Sequence, residues 1–364
     1  MKPKIFALYL PQFYAFKENN EWWGEGYTDW VAVQNSQSLY REHYQPHVPI
    51  NNDYYNLTNV PTLMKQADTA TKYGVNGFCI YHYWSKGKKL MEKPLELLRD
   101  HSEINIEYFI SWANHDFKKT WFNGDGQLMW PQEYGDDKDI VEHYSYLSDF
   151  FKDTRYFKID NRPVLKIYNI YHISNFNYMM EKWNKLAVED GFSGIYLIAN
   201  KSFTGVSSQK LQESKYVNAS FIFEPLNVRA NGANERKTYI LKRRLKTVLL
   251  RYFNKFSKST KPELFDYKRA NETMLKRKKC GKQFYCIFPN WDNTPRYGGK
   301  GIVFSGATPE LFGYYAKKNY QRSIAENNEI LLVNAWNEWG ESAHLEPDEK
   351  YGYQYLEELK KAIE

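Results

Sequence analysis

The sequence has few cysteines and no long hydrophobic run, and these absences exclude several classes of protein. Its 364 residues include Cys79, Cys280 and Cys286, which form no C-x-x-C pair, so neither a disulfide framework nor a zinc site is indicated. No apolar stretch is long enough to span a membrane. The apolar run at residues 5–10 is too short for a signal-peptide core, so we expect a cytoplasmic protein.

Sequence motifs for several catalytic chemistries are also missing. The chain has no Walker phosphate loop, no H-E-x-x-H motif and no G-x-S-x-G motif. We predict no cofactor and no metal ligands. Asp137-Lys138-Asp139 matches the D-x-D metal motif of nucleotide-sugar transferases, but it starts a predicted helix, where acidic residues are favoured for another reason.

Aromatic residues, by contrast, are abundant. They make up 18% of the chain and include 31 Tyr and 11 Trp. This is more ring surface than a core needs, and it favours flat platforms on which sugars or bases stack.

Basic residues are concentrated in one segment. Residues 235–282 contain 17 Lys or Arg and only 4 Asp or Glu, whereas the rest of the chain is mildly acidic. Apolar residues at helical spacing between Tyr239 and Phe256 predict a basic amphipathic helix. It is interpreted either as a solvated surface helix or as a membrane-docking helix, in which each Lys or Arg contributes about 1 kcal/mol on an anionic surface. Nucleic-acid binding is a third interpretation, but no nucleic-acid motif supports it and we expect no such partner.

Short apolar runs alternate with helical patterns along the whole chain. The predicted strands are residues 5–10, 77–83, 106–112, 163–168, 194–199, 219–223, 283–288 and 330–336. The predicted helices are residues 60–73, 94–102, 138–153, 173–190, the basic segment, 308–326 and 353–363. Nearly continuous apolar strands are typical of parallel sheets covered on both faces. The pattern predicts one (β/α)8 barrel over residues 1–364, with a basic helical insertion at about 235–282 between strands 6 and 7. An open doubly wound sheet is the alternative fold, but no Gly-rich loop follows the first strand.

For the oligomeric state we expect a monomer or a weak dimer.

Polar and aromatic residues follow the predicted strands. The carboxyl ends of barrel strands are where active sites form, and rings mixed with amides and carboxylates suit sugar binding. The candidate substrate-binding residues are Tyr9, Gln12, His82, Tyr83, Trp84, Trp112, Asn114, Asp116, Glu224, Trp291, Asp292 and Asn337.

Two glutamates after the last strand are the strongest catalytic signal. Glu338 and Glu341 flank Trp339-Gly340, and two carboxyls this close in a tight turn reach the separation of about 5–5.5 Å used by retaining glycosidases. Gly340 would let the chain turn, and the neighbouring tryptophans would exclude water and separate the two pKa values. The pair is predicted to be catalytic.

Several longer motifs resemble one family. They are residues 9–14 (YLPQFY), 21–24 (EWWG), 27–30 (YTDW), 112–114 (WAN), 289–296 (PNWDNTPR), 334–341 (NAWNEWGE) and 344–348 (HLEPD). These resemble WbsX-type proteins of bacterial surface-polysaccharide assembly, whose domain is similar to glycoside hydrolase family 99.

The resemblance implies a (β/α)8 barrel and a metal-free retaining mechanism. In it Glu338 is the base that acts on the sugar's own 2-hydroxyl, and Glu341 is the general acid/base. Two positions depart from the family pattern: His115-Asp116 follow Asn114 where a Glu and an aromatic residue are usual, and Ser342 stands where Gly is usual.

The predicted function is therefore a glycan-active enzyme that cleaves or transfers an α-linked sugar of a bacterial surface oligosaccharide or polysaccharide. The alternatives are a glycosyltransferase that uses a nucleotide-linked or lipid-linked sugar in O-antigen or capsule assembly, and a non-catalytic glycan-binding scaffold.

Overall fold

Eight apolar segments form parallel strands that close into a barrel. The computed structural model describes residues 1–201, 214–230, 261–279 and 281–364. The barrel strands, numbered β1 to β8, are Lys4–Tyr9, Gly77–Ser85, Glu107–Trp112, Arg162–Ile167, Tyr196–Asn200, Val217–Phe221, Gln283–Ile287 and Ile330–Val333. Each strand pairs with the next along the chain, and β1 pairs with both β2 and β8. Phe6 shows the closure, because it lies opposite Leu332 on one side and Gly77 on the other. The predicted barrel is confirmed.

Helices pack against the barrel wall or, as Asp29–Gln34 and Thr294–Tyr297 do, against the turn that follows the last strand. Numbered α1 to α11, they are Lys17–Trp23, Asp29–Gln34, Val60–Lys72, Lys93–Asp100, Asp137–Phe151, Phe176–Glu189, Leu226–Ala230, Tyr267–Leu275, Thr294–Tyr297, Pro309–Ala325 and Gln354–Ile363. The start predicted for α10 is confirmed, because Thr308 Oγ1 accepts a hydrogen bond from Leu311 N (3.2 Å) and Pro309 occupies the first turn.

The sequence predicted the strand bounds less well than the strands themselves. The fifth strand begins two residues later than expected, and the sixth begins and ends two residues earlier. The last strand ends at Val333 instead of residue 336. After it the chain leaves the regular ladder, although Asn334 N still donates to Ile287 O (2.8 Å) and Trp336 N to Leu8 O (2.8 Å).

One lysine is buried among the mainly apolar strands of the barrel. All four residues of β8 are fully buried, as expected for a strand covered on both faces. Lys166, on β4, is also fully buried; its Nζ donates to Ser111 Oγ (3.1 Å) and lies 5.0 Å from the centre of the Phe221 ring. Burial lowers the pKa of Lys166 to about 8.

Short strands and 3-10 turns lie in the segments that connect the barrel strands and helices. Short strands are Lys88–Leu90, Phe117–Lys118, Leu128–Trp130, Lys158–Ile159, Glu263–Asp266, Ile302–Ser305, Asn337–Glu338 and Ala343–His344. Single 3-10 turns are Ile50–Asn52, Trp121–Asn123, Ile170–His172, Gly298–Lys300 and Trp339–Glu341.

Only the end of the basic segment belongs to the described structure. The helix predicted between Tyr239 and Phe256 lies outside the described residues. Glu263–Asp266 pairs in parallel with Ile302–Ser305, and α8 packs against α10, where Arg322 Nη2 donates to Arg277 O (2.6 Å). Docking of residues 235–282 on an anionic membrane surface stays a prediction. Among the described residues, no helix combines the length and apolar character that crossing a membrane needs.

Candidate active site

A tight antiparallel hairpin follows β8 and carries both predicted catalytic glutamates. Asn337 pairs with His344 and Glu338 with Ala343, and a single 3-10 turn, Trp339–Glu341, joins the two short strands. Asn337 fixes this hairpin to the end of β1, because its side chain accepts from Leu10 N (2.7 Å) and donates to Leu10 O (2.9 Å). The turn is therefore held at the carboxyl end of the barrel, where (β/α)8 enzymes place their active sites.

One buried arginine holds the two glutamates side by side. Arg296 Nη2 lies 3.1 Å from Glu338 Oε2, and its Nη1 lies 3.2 Å from Glu341 Oε1. Asp29 anchors the same guanidinium from behind, with Oδ2 2.8 Å from Nη2 and Oδ1 3.2 Å from Nε. Because a guanidinium is rigid and planar, carboxylates bound to its two terminal nitrogens lie close together. The predicted proximity of Glu338 and Glu341 agrees with this geometry.

Gly340 leaves room for the arginine. A Cβ at this position would lie 2.5 Å from both Arg296 Nε and Asp29 Oδ2. The φ of Gly340 is not in the left-handed region, so close approach explains the glycine better than the turn does. Ser342 is the residue with positive φ (49°), which explains why glycine suits that position.

Burial gives the two glutamates raised pKa values. Burial and then the charge of Glu338 raise the pKa of Glu341 to about 8, against the opposing charge of Arg296. Burial also raises the pKa of Glu338, again opposed by Arg296. Glu341 is therefore protonated at neutral pH, as a general acid must be. Arg296 favours the ionised form of both glutamates, at 3.1 Å from Glu338 and 3.2 Å from Glu341.

Tyrosines and tryptophans lie near the pair Glu338 and Glu341, called the dyad below. Burial raises the pKa of Tyr81, Tyr83 and Tyr168. The charge of Glu338 raises the first two further and that of Glu341 raises the third, so these phenols lie within electrostatic range of the glutamates. A cleft of about 730 Å³ lies next to Arg296, because Trp121 both lines it and packs on the guanidinium; neither glutamate is among its lining residues. Its lining includes Gln12, Trp22, Trp23, Asp116, Trp121 and Tyr297.

Of the predicted substrate-binding residues, Gln12 and Asp116 lie in the cleft wall and Tyr83 is within electrostatic range of Glu338; contact with a sugar stays a prediction for all three. Trp121 was not predicted; the Arg296 guanidinium lies 4.7 Å from the centre of its ring.

Two more of the predicted residues hold the turn Trp339–Glu341 in place. Asn337 does so as described above, and the buried Asp292 does so through its backbone, whose N–H donates to Glu341 O (2.7 Å). The Asp292 carboxylate is 2.6 Å from His43 Nε2 and accepts from Gln45 Nε2 (2.8 Å) and Thr294 N (2.9 Å). These residues make a frame for the dyad, and direct contact with a sugar stays a prediction for both.

Three predicted residues pack instead against the helices outside the barrel. His82 Nε2 lies 3.0 Å from Nε2 of His143 on α5, and the Trp84 ring stacks on the same histidine with centroids 4.5 Å apart. Trp84 Nε1 donates to Asp139 Oδ1 (3.0 Å), and Trp112 Nε1 donates to Trp84 O (3.2 Å). All three side chains are buried there, so the structure does not bring them to the glutamates.

Asn114 and Glu224 have partners within the protein. Asn114 donates to Tyr134 OH (2.8 Å) and to Asn169 O (2.7 Å). Glu224 is buried in an ion pair with Arg277 and accepts from Val228 N (2.8 Å).

Trp291 and Tyr9 are core residues in this structure. Trp291 is 1% exposed in a cluster with Phe288 and Phe304, so its ring is not an open platform. Tyr9 OH donates to Gln66 Oε1 (2.7 Å). A substrate role for any of these four residues stays a prediction.

The D-x-D match behaves as a helix start. Asp136 caps α5, which begins at Asp137, by accepting from the backbone N–H groups of Lys138 and Asp139. Asp137 pairs with Lys182, and Asp139 Oδ2 accepts from Gly135 N (3.0 Å). The interpretation as a helix start is confirmed.

Sequence reasoning missed Arg296, Asp29 and Glu346. Arg296 and Asp29 lie within quoted motifs, and the signal was electrostatic: two glutamates in an apolar turn need a buried cation beside them. Glu346 lies behind the turn and accepts from Trp339 Nε1 (2.7 Å), Tyr55 OH (2.7 Å) and Gln66 Nε2 (2.6 Å). Burial raises the pKa of Glu346 to about 7.

Comparison with known proteins gives a consistent family and fold. The sequence matches the family described as glycosyltransferase WbsX over residues 5–359. The protein WxcX from two strains of Xanthomonas campestris pv. campestris (B100 and ATCC 33913) is 26% identical over 363 residues, which cover 99% of this chain and 49% of WxcX. The chain thus spans about half the length of these curated relatives.

Solved structures give a similar fold. A glycoside hydrolase-like protein superposes with a TM-score of 0.56 and 14% identity, covering 100% of this chain and 94% of its own. A GH99 endo-alpha-mannosidase from Bacteroides thetaiotaomicron superposes with a TM-score of 0.56 and 11% identity, covering 99% of this chain and 96% of its own. At these identities the likeness concerns the fold alone.

Proposed function

The chain belongs to the WbsX glycosyltransferase family, and from this premise we propose that it cleaves or transfers an α-linked sugar of a bacterial surface glycan, using Glu338 and Glu341. The observation that carries the proposal is the shared guanidinium of Arg296, which is within 3.1 Å of one glutamate and 3.2 Å of the other. Two neighbouring carboxyls with separate roles are the usual equipment of a retaining glycosidase.

The proposed chemistry has two steps. Glu338 takes the proton of the sugar's 2-hydroxyl, and the 2-oxygen attacks the anomeric carbon. The bond from this carbon to the leaving oxygen breaks, and Glu341 gives its proton to that oxygen. In the second step Glu341 takes a proton from the acceptor hydroxyl, which attacks the anomeric carbon of the 1,2-anhydro sugar. The three-membered ring opens, and the proton on Glu338 returns to the 2-oxygen.

The electrostatics support these roles. A general acid needs its proton at working pH, and the pKa of Glu341 is raised to about 8. We assign the base to Glu338 as the family resemblance implies; burial raises its pKa, and Arg296 opposes that rise by stabilising the ionised form. The acceptor is a sugar hydroxyl in transfer and water in hydrolysis; the family description favours transfer.

The test uses the surface polysaccharide of the producing bacterium, in free and lipid-linked forms, with product masses as the readout. Glu338→Gln and Glu341→Gln should each lower the rate by about 10²–10⁴-fold, the range for a positioned acid or base. Glu357→Gln, an exposed glutamate on α11, is the matched control and should retain full activity. In H₂¹⁸O, hydrolysis introduces the heavy oxygen into the product, whereas transfer to a sugar does not.

A glycosyl fluoride separates the two roles, because fluoride leaves without needing a proton. Glu341→Gln should recover much of its first-step rate on the fluoride, and Glu338→Gln should not. Full activity of both variants on the natural glycan would refute the proposal and leave the scaffold alternative.

A further inference from the structure

A second cluster of ionisable side chains lies behind the catalytic turn. Among the described residues, His47, His344 and Asp348 form the one group of three whose ligand atoms all lie within 4.8 Å of one another. His47 Nδ1 is 2.9 Å from His344 Nε2 and 3.8 Å from Asp348 Oδ2. All three are buried, with no more than 5% of any residue exposed.

Hydrogen bonds orient the His344 ring as in a metal ligand. His344 Nδ1 is 2.9 Å from the backbone oxygen of Glu346, and this contact assigns the proton to Nδ1. The lone pair of Nε2 then points at the cluster. Histidines that bind metals nearly always donate their other N–H to a carbonyl or carboxylate in this way.

Among the described residues, no basic side chain neutralises the carboxylate charge of Asp348. Its carboxylate accepts from Tyr351 N (2.6 Å) and from Tyr44 OH (3.3 Å). In the part of the chain that the structure describes, no Lys or Arg nitrogen pairs with it; the nearby Lys350 lies instead over the Tyr44 ring. With the His344 proton on Nδ1, the 2.9 Å contact places a proton on His47 Nδ1, and a bound metal ion would displace this proton.

We propose that His47, His344 and Asp348 bind one divalent transition-metal ion, with Zn²⁺ the best match. Two imidazole nitrogens and a carboxylate oxygen are a common ligand set for Zn²⁺, with bond lengths of about 2.0–2.2 Å and water as a fourth ligand. The separations of His47 Nδ1 from its two neighbours, 2.9 Å and 3.8 Å, are shorter than two such bonds, and the third separation is within 4.8 Å.

The bound ion would join two loops next to the dyad without touching the sugar. The loop that contains His47 already meets the one that contains Asp348, since Ile50 N donates to Pro347 O (3.0 Å) and Glu349 N donates to Val48 O (2.9 Å). His344 stacks on Trp339, which lies between the two glutamates in the sequence, and the ring centroids are 3.6 Å apart. The metal would thus stabilise the catalytic turn, while the proposed chemistry at Glu338 and Glu341 stays metal-free.

The chain offers a matched control. His82 and His143 form another buried histidine pair, with Nε2 atoms 3.0 Å apart, and they are not part of any three-ligand group among the described residues. A histidine pair alone should bind Zn²⁺ much more weakly than the pair with the carboxylate.

The experiment measures metal binding by the full chain after treatment with a chelator. Isothermal titration with Zn²⁺ should give one equivalent per chain, and Co²⁺ should give the visible absorption of a four-coordinate site. Asp348→Asn and His344→Gln should weaken binding by at least ~100-fold, since even second-shell losses reach that size. His143→Gln should bind as the wild type does.

Thermal unfolding separates loss of binding from loss of folding. Zn²⁺ should raise the midpoint of the wild type and of His143→Gln, and leave that of Asp348→Asn unchanged. No stoichiometric binding by a folded wild type, or equal binding by wild type and Asp348→Asn, would overturn the proposal. None of these readouts depends on the sugar chemistry, so the metal site and the proposed function fail separately.

Discussion

Replacing Glu341 by glutamine should make the protein more stable, by an amount that grows with pH. The pKa of Glu341 is about 8 in the folded protein, against an ordinary value of 4.5. Between these two values the unfolded chain has released the proton and the folded protein has kept it. The free energy of unfolding of the wild type therefore falls by about 1.4 kcal/mol for each pH unit in this window. Glutamine resembles the protonated acid and does not titrate.

Relative to the difference at pH 4.5, Glu341→Gln should gain about 3 kcal/mol over the wild type at pH 7. The assay is denaturant unfolding followed by tryptophan fluorescence at intervals from pH 4.5 to 8.

Glu326→Gln is the control, because folding lowers the pKa of this glutamate instead of raising it. Burial raises the pKa of Glu326, but Tyr285, Lys279 and Arg322 together lower it below 4.5. Its contribution to stability is complete above that pH, so the difference between this variant and the wild type should stay constant from pH 4.5 to 8. A flat difference for Glu341→Gln as well would refute the assignment of a raised pKa, and with it the role of Glu341 as acid.

Three further substitutions test the frame of the site and the core. Arg296→Met should cost about 3–5 kcal/mol of unfolding free energy, since it leaves buried carboxylates unpaired; combining it with Asp29→Asn should cost less than the sum of the single effects, and additive effects would contradict the pairing. Gly340→Ala should lower stability by about 1–3 kcal/mol, because its Cβ would overlap the Arg296–Asp29 pair; an unchanged denaturation midpoint would contradict this. Lys166→Met should raise stability by about 1–3 kcal/mol at pH 7, because the folded protein holds this lysine's pKa at about 8, below the ordinary 10.5. That gain should shrink as pH rises from 8 towards 10.5, where the unfolded chain also loses the charge, and a gain independent of pH would contradict the assignment.

The barrel could be predicted from the sequence because a parallel strand buried on both faces appears there as a continuous run of apolar residues. Residues 330–333, for example, are uniformly apolar, and only such segments fit between the barrel interior and the helices. The end of a strand was harder to predict. The residues that follow β8 remain buried and hydrogen-bonded to their neighbours, but they do not form a regular ladder.

The dyad could also be predicted, because Glu338 and Glu341 are close in sequence and their turn follows the last strand. Arg296 could not be placed there, since its contacts with Asp29 and the glutamates join three distant parts of the chain.

Residues such as Trp84 and Trp291 show a different limit. Trp291 follows β7, whereas Trp84 lies inside β2, which runs on to Ser85. For both, the direction of the side chain decides whether it faces a sugar or the surrounding helices. That direction depends on packing partners such as His143 on α5, which sequence spacing does not identify.

A structure of the Glu341→Gln variant with an α-linked oligosaccharide tests the central claim most directly. The account predicts that the anomeric carbon and the 2-hydroxyl face the Glu338 carboxylate, with the glycosidic oxygen within hydrogen-bond distance of the side chain at position 341. An oligosaccharide bound elsewhere on the barrel, with no ring beside Arg296 and Glu338, would contradict it.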